Sequence, residues 1–229
     1  MNSNPIIYNN NHVEEIKRIY FPVKDKIKFR LDEFNKILKT SSDEDIFAEL
    51  IFCILTPQSK AKSCWYAAKN LMDKKLLFKG NAEKIAKEIR GARFKYRKAK
   101  YIVKARKTFS INGKFSIKSR IEELIRRESL IENEKTREWL VNNIKGIAYK
   151  EASHFLRNIG LGENLAILDR HILKNLKLLG VIKKIPNSLS KKKYLEIENR
   201  MKKFADSISI PISNLDLLLW YKETGEIFK

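Results

Sequence analysis

The sequence predicts an all-α protein built as two interleaved helical lobes, and three observations carry this. Apolar residues recur at helical spacing almost throughout, alternating strand-like runs are scarce, and only eight glycines occur in 229 residues. No linker rich in Gly, Ser or Pro divides the chain, and no repeat is present. The length suits one large domain or two small lobes. Without a linker the lobes are expected to share the chain, its two ends building one and its middle the other.

The elements follow in order. Residues 1–12 are rich in asparagine (Asn2, Asn4, Asn9, Asn10, Asn11) and read as loose chain. Residues 13–39 are amphipathic, with an interruption at Pro22. A loosely ordered extension is therefore assigned to 1–21 and the folded domain to 22–229. Ser41-Ser42-Asp43-Glu44 reads as a capping box, with Ser41 at the cap and Glu44 three residues on. The helix behind it carries Ile46, Phe47, Leu50, Ile51, Ile54 and Leu55 at core spacing and stops at Thr56-Pro57. Further helices are expected over about residues 59–72, 81–90, 95–109, 116–127, 136–144, 148–159, 169–179, 189–205 and 211–222. The apolar run Leu217-Leu218-Leu219-Trp220, with Leu215 just before it, marks the last of these as a docking helix.

Lys and Arg total 48 against 27 Asp and Glu, a formal net charge of +21. Such a surplus attracts a polyanion, either nucleic acid or anionic lipid; a generally lysine-rich proteome is the bland alternative. Lys95, Arg97, Lys98, Lys100, Lys104, Arg106 and Lys107 form one cluster, and Lys183, Lys184, Lys191, Lys192 and Lys193 a second. Phe94, Tyr96, Tyr101, Ile102 and Val103 read as core residues, not as a membrane-inserting face, which favours nucleic acid with salt-sensitive phosphate contacts. No run of about 18 apolar residues is present, and the N-terminus lacks a secretory apolar segment. No membrane partner is expected, and the protein is placed in the cytoplasm with the nucleoid. Cys53 and Cys64 are too few for the four thiolates of an ordinary iron–sulfur cluster or Cys₄ zinc site. His12, His154 and His171 are too dispersed for a zinc motif. No metal site built from side chains is expected.

Residues 136–160 read as a helical hairpin. Thr136 is the expected cap of a helix carrying Trp139, Leu140, Val141 and Ile144. The turn Lys145-Gly146-Ile147-Ala148 leads into a second helix with Ala152, Phe155, Leu156 and Ile159 inward and Gly160 as terminator. A tight turn entering a helix presents backbone N–H groups to a phosphate, and Gly146 and Ala148 are small enough for a DNA backbone to approach. Lys150 begins the second helix. Asp169, nineteen positions on, precedes another helical pattern. Local sequence leaves both residues open: Lys150 is a surface lysine or a reactive amine, and Asp169 an N-cap or a working carboxylate.

Ile144-Lys145-Gly146-Ile147-Ala148-Tyr149-Lys150 followed by Asp169 resembles the helix-hairpin-helix, Gly/Pro-rich loop, Asp superfamily of DNA glycosylases. Leu55-Thr56-Pro57-Gln58-Ser59-Lys60-Ala61 is similar to the segment of that superfamily that carries an intercalating glutamine. The all-helical length, the missing cysteine cluster, Arg93-Phe94 with Lys98-Ala99-Lys100-Tyr101-Ile102, and the terminal Lys229 resemble the archaeal-type second family of 8-oxoguanine DNA glycosylase/AP lyases. The likeness covers about residues 22–229. Two positions depart from it, Lys145 where many relatives have proline and Ala148 where they have a second glycine.

The resemblance implies a bifunctional base-excision enzyme acting as a monomer on double-stranded DNA that contains oxidised guanine, with the DNA bound in a cleft between the lobes. Lys150 would attack C1′ and form a Schiff base, and Asp169 would stabilise the developing sugar cation. The amine reacts only when unprotonated, which burial by Ile147, Tyr149 and Phe155 and the positive end of the helix would favour. Gln58, the single glutamine, would fill the stack vacated by an everted base, or else be an ordinary turn residue after Pro57. Lys60, Gly146 and Ala148 would contact the DNA backbone. Lys229, through its carboxylate or ammonium, would contact the lesion, with Trp220 or Phe228 as an aromatic wall; a frayed tail is the plain alternative. No cofactor is required and no iron–sulfur cluster is implied, though a monovalent cation on the hairpin carbonyls is. Two other functions stay open: the same chemistry on a different damaged or mispaired base, and a non-catalytic nucleic-acid-binding module.

Overall fold

The computed structural model describes residues 8–111, 114–126 and 132–229. In chain order its helices are α1 (Asn10–Thr40), α2 (Asp43–Leu55), α3 (Ala61–Asp73), α4 (Leu76–Lys79), α5 (Ala82–Glu88), α6 (Lys95–Thr108), α7 (Ile117–Arg126), α8 (Glu132–Asn143), α9 (Tyr149–Asn158), α10 (Arg170–Leu178), α11 (Lys191–Ser207) and α12 (Ile212–Thr224). Between α6 and α7, β1 (Ser110–Ile111) and β2 (Lys114–Phe115) pair antiparallel and are the one sheet among the described residues. The chain divides into two compact units, Phe34–Leu161 and the combination of Met1–Glu33 with Gly162–Lys229. Middle and ends thus build separate units, as the unbroken pattern predicts.

The first helix differs from expectation. Asn10–Thr40 is one helix with Pro22 inside it, so the loosely ordered extension assigned to 1–21 is corrected over 10–21; its residues 1–7 lie outside the described residues. Proline removes one intrahelical hydrogen bond and crowds the preceding turn. Here the buried positions Ile16, Val23, Ile27, Phe34 and Leu38 run as one stripe past Pro22. Packing of an apolar stripe outweighs one local defect.

Within Phe34–Leu161, α2 is the central element. Every residue from Ile46 to Leu55 is buried, and α3, α6, α7 and α9 pack around it. A helix that is apolar on all sides belongs inside a core. Its cap is one residue later than expected: the Ser42 hydroxyl accepts from the Asp45 N–H at 3.2 Å, and the Asp45 carboxylate accepts from the Ser42 N–H at 3.3 Å. Glu49, buried in this helix, accepts from Asn158 Nδ2 of α9 at 3.0 Å, which gives one of its oxygens a donor.

Three other expectations shift. α8 begins at Glu132, which leaves Thr136 inside the helix and 1% exposed instead of at a cap. The Glu and Lys residues before it are good helix formers and extend the helix by a turn. The expected helix over 116–127 is α7, with position 127 outside the described residues. α4 and the β-hairpin are too short to leave a periodic signal.

In the other unit α12 packs on α10 and α11. Leu215, Leu217, Leu218 and Leu219 are buried, as a docking helix requires. Asn214 Nδ2 donates to Tyr20 Oη at 2.9 Å and Lys222 pairs with Glu15 at 3.2 Å, which ties α12 to the first part of α1. No helix among the described residues is long and apolar enough to cross a membrane.

Candidate functional site

The turn between α8 and α9 is built on Gly146. Its φ is +89°, in the left-handed region, and a Cβ there would lie 2.4 Å from Tyr101 Cδ2. Ala148 has φ −113° and ψ −172°, an extended conformation open to any residue. Alanine in place of a second glycine is therefore accommodated without strain. The Ala148 N–H donates to Glu151 Oε2 at 3.2 Å, which closes the turn from the first turn of α9. Gly146→Ala is expected to cost about 1–3 kcal/mol, from the positive φ and the displaced Tyr101 ring. Thermal unfolding would show this as a drop of several degrees, and an unchanged midpoint would contradict the packing of Tyr101 against the turn.

Lys150 is the second residue of α9, and 20% of its side chain is exposed. Its Nζ donates to Thr56 Oγ1 at 3.3 Å and lies 3.8 Å from Glu151 Oε1. Thr56 gives its own hydroxyl proton to the Cys53 carbonyl at 2.9 Å, so a lone pair faces the amine. Ile147, Tyr149 and Phe155 are all buried. Cys53 and Cys64 are core residues, and burial pushes both thiols up.

The segment after α2 presents Gln58. Gln58 is exposed and has φ +55°, which is costly for a residue with a Cβ. The turn is held from within by Ser59 N–H donating to the Thr56 carbonyl at 3.0 Å. Behind it Lys98, 4% exposed, donates to the carbonyls of Leu55 and Pro57, each at 2.7 Å, and to Ser59 Oγ at 3.1 Å. The same Ser59 Oγ accepts from the Arg93 N–H at 3.0 Å. Lys60 is exposed at the cap position of α3.

Two aromatics assigned to the core are corrected. Phe94 is 54% and Tyr96 68% exposed. α6 starts at Lys95, and its buried face is Lys98, Ala99, Ile102 and Ala105, which turns Tyr96 outward. Arg93 and Arg97 lie 5.7 and 6.0 Å from the Phe94 ring, and Lys95 5.3 Å from that of Tyr96. Aromatic faces among cations suit unstacked bases and phosphates. Sequence reasoning did not single out Thr56, Glu151 or the buried state of Lys98. For Lys98 the signal was its place one turn before Ile102 and two before Ala105 on the apolar stripe.

In the other unit Asp169 caps α10. Its Oδ1 accepts from the N–H groups of His171 and Ile172 at 2.8 and 2.9 Å, and the described residues make no hydrogen bond to Oδ2. The His171 ring stands edge-on to Trp220 with centroids 5.2 Å apart, and its Nδ1 is 3.6 Å from Glu223 Oε2. A hydrogen bond from Lys174 holds the Glu223 carboxyl below the usual carboxylate range. Trp220, Phe228 and Lys229 are half-buried, the last two beyond the Gly225 turn, where φ is +73°. The structure thus gathers Lys150, Thr56, Gln58, Lys60, Gly146 and Ala148 in one unit, and Asp169, His171, Trp220, Phe228 and Lys229 in the other.

Known proteins resemble this chain over nearly its whole length. A family model described as 8-oxoguanine DNA glycosylase matches residues 27–210. An 8-oxoguanine DNA glycosylase/AP lyase of Fusobacterium nucleatum is 47% identical over 220 residues, covering 96% of this chain and 99% of the relative. One from Methanocaldococcus jannaschii is 42% identical, covering 95% and 97%. The crystal structure of the 8-oxoguanine DNA glycosylase of Thermotoga maritima matches with a TM-score of 0.82 at 35% identity, covering 96% and 99%. A structure of the M. jannaschii glycosylase/lyase in complex with a 15mer DNA containing 8-oxoguanine matches with a TM-score of 0.81 at 37% identity, covering 95% and 99%.

Proposed function

The chain belongs to the 8-oxoguanine DNA glycosylase family, and from that premise we propose that it excises 8-oxoguanine from double-stranded DNA and cleaves the resulting abasic strand. The observation that carries the mechanism is a largely buried amine, Lys150, held by Thr56 and Glu151 at the start of the helix that follows the Gly146 turn. Its substrate is placed in chromosomal DNA.

The damaged nucleotide leaves the stack, and Gln58, exposed on its strained turn, fills the gap. Positive charge grows on the sugar as the N-glycosidic bond breaks, and the Asp169 carboxylate stabilises it. The Lys150 amine bonds to C1′ while the base departs with the glycosidic electron pair. One proton of the newly bonded nitrogen passes to O4′ as the sugar ring opens to a protonated Schiff base. A C2′ proton is then lost to water, the C3′–O bond breaks with its electron pair leaving on the 3′ phosphate, and water hydrolyses the imine to release Lys150. Lys60 and the backbone at Gly146 and Ala148 contact phosphates. The carbonyls of Lys145, Gly146 and Ile147 accept no hydrogen bond from the described residues, so they would hold a monovalent cation, whose charge would attract DNA phosphate.

Lesion choice follows from one proton. Guanine N7 accepts a hydrogen bond, whereas in 8-oxoguanine that nitrogen donates. An acceptor such as the Lys229 carboxylate pairs with the lesion and leaves guanine unpaired, with Trp220 and Phe228 beside the base. Deleting Lys229 is expected to lower discrimination between 8-oxoguanine and guanine at least about tenfold while duplex affinity changes little. Equal loss of both, read in competition binding and single-turnover assays, would remove Lys229 from the pocket.

The function is tested with duplexes carrying 8-oxoguanine or guanine opposite each of the four bases. Free 8-oxoguanine and strand scission are expected from the lesion duplexes only. Intact lesion strands in every duplex would overturn the assignment.

A further inference from the structure

Lys98 makes three hydrogen bonds to the segment that ends α2, and its ammonium has three protons to give. A buried ammonium is costly unless each proton is placed, and a methionine of similar length would fill the same space without that cost. Two of its acceptors, the carbonyls of Leu55 and Pro57, flank Thr56, whose hydroxyl meets Lys150. The third, Ser59 Oγ, follows Gln58 and is shared with the Arg93 N–H. One side chain thus fixes the residue facing the amine, the turn that presents Gln58, and the entry to α6.

We propose that Lys98 is a positioning residue of the base-excision reaction, holding the 55–59 segment so that Thr56 orients the Lys150 amine. This rests on the function proposed above. Lys98 lies within electrostatic reach of Lys150, Glu151, Arg93 and Cys64, and burial lowers its affinity for a proton. Lys150 faces Thr56 and Glu151, with Cys53, Cys64 and Lys98 in electrostatic range.

The test is borohydride trapping on a duplex with a preformed abasic site, which bypasses base recognition, with duplex affinity measured alongside. Lys98→Met is expected to slow trapping at saturating duplex about tenfold or more while duplex affinity changes little. Lys98→Arg keeps a charged donor in a different shape, so its rate lies between those of Lys98→Met and the wild type. Thr56→Val, which leaves Lys98 in place, is also slowed, and the double variant Thr56→Val/Lys98→Met loses no more than the product of a shared path allows, close to the worse single variant.

A purely structural role lowers the yield of folded protein and leaves the trapping rate of the folded fraction at saturating duplex where it was. A wild-type rate in folded Lys98→Met overturns the proposal. If Lys98→Met does not fold, wild-type trapping by Thr56→Val overturns it instead. A wild-type protein that forms no adduct overturns the function proposed above, a result distinct from either.

Discussion

Lys150→Gln will form no borohydride-stable adduct with 8-oxoguanine duplex, and strand scission will fall by roughly 10³-fold or more, the scale on which removal of a reacting group acts. Glutamine has no nucleophilic nitrogen, but its amide can still donate to Thr56 Oγ1, where Lys150 Nζ now donates at 3.3 Å. Lys150 is one of 48 basic residues, so lesion-duplex affinity should stay within about tenfold of wild type at fixed salt. The combination of retained binding and lost chemistry separates a reacting amine from a phosphate contact. An adduct of undiminished yield would take Lys150 out of the nucleophile's place, and proportional loss of binding and scission would make it a DNA-contacting lysine.

Asp169→Asn is expected to slow base release about 10²–10³-fold with little change in stability. Asparagine caps a helix about as well as aspartate, and only Oδ1 is used, by the N–H groups of His171 and Ile172. The amide oxygen can keep both bonds while the negative charge beside the sugar cation is lost. Asp169→Ala removes charge and cap together and should also lower stability by about 1 kcal/mol. Base release by single turnover and thermal unfolding, measured on both variants, separate the roles. If the asparagine protein released the base at the wild-type rate while the alanine protein alone melted lower, Asp169 would be a cap and nothing more.

Local signals made much of this legible. The hairpin helices, the Gly160 terminator and the Asp169 cap each rest on a few neighbouring residues, and each is present. The capping box read from sequence, Ser41 with Glu44, fits the usual Ser-to-Glu spacing; the structure caps one residue later, with Ser42 and the shorter carboxylate of Asp45 bonding each other's N–H. Pro22 is a local signal visible in sequence, whereas the stripe from Ile16 to Leu38 gains its value only from packing. Phe94 and Tyr96 read as core on hydropathy, yet α6 begins just after Phe94 and sends both rings outward. Lys98 finds its oxygens about forty positions away in the chain, a satisfaction no periodicity announces. The apolar amphipathic pattern therefore carried the helices, while the polar contacts that organise the site depended on tertiary placement.

Peptide mapping shows which amine becomes covalently joined to C1′. Wild-type protein is reduced with borohydride on an 8-oxoguanine duplex, digested, and its cross-linked peptide sequenced by mass spectrometry. A single modified residue is expected, Lys150, in the peptide that follows the Gly146 turn. A deoxyribose remnant carried instead by Lys98, Lys60 or any other lysine would contradict it.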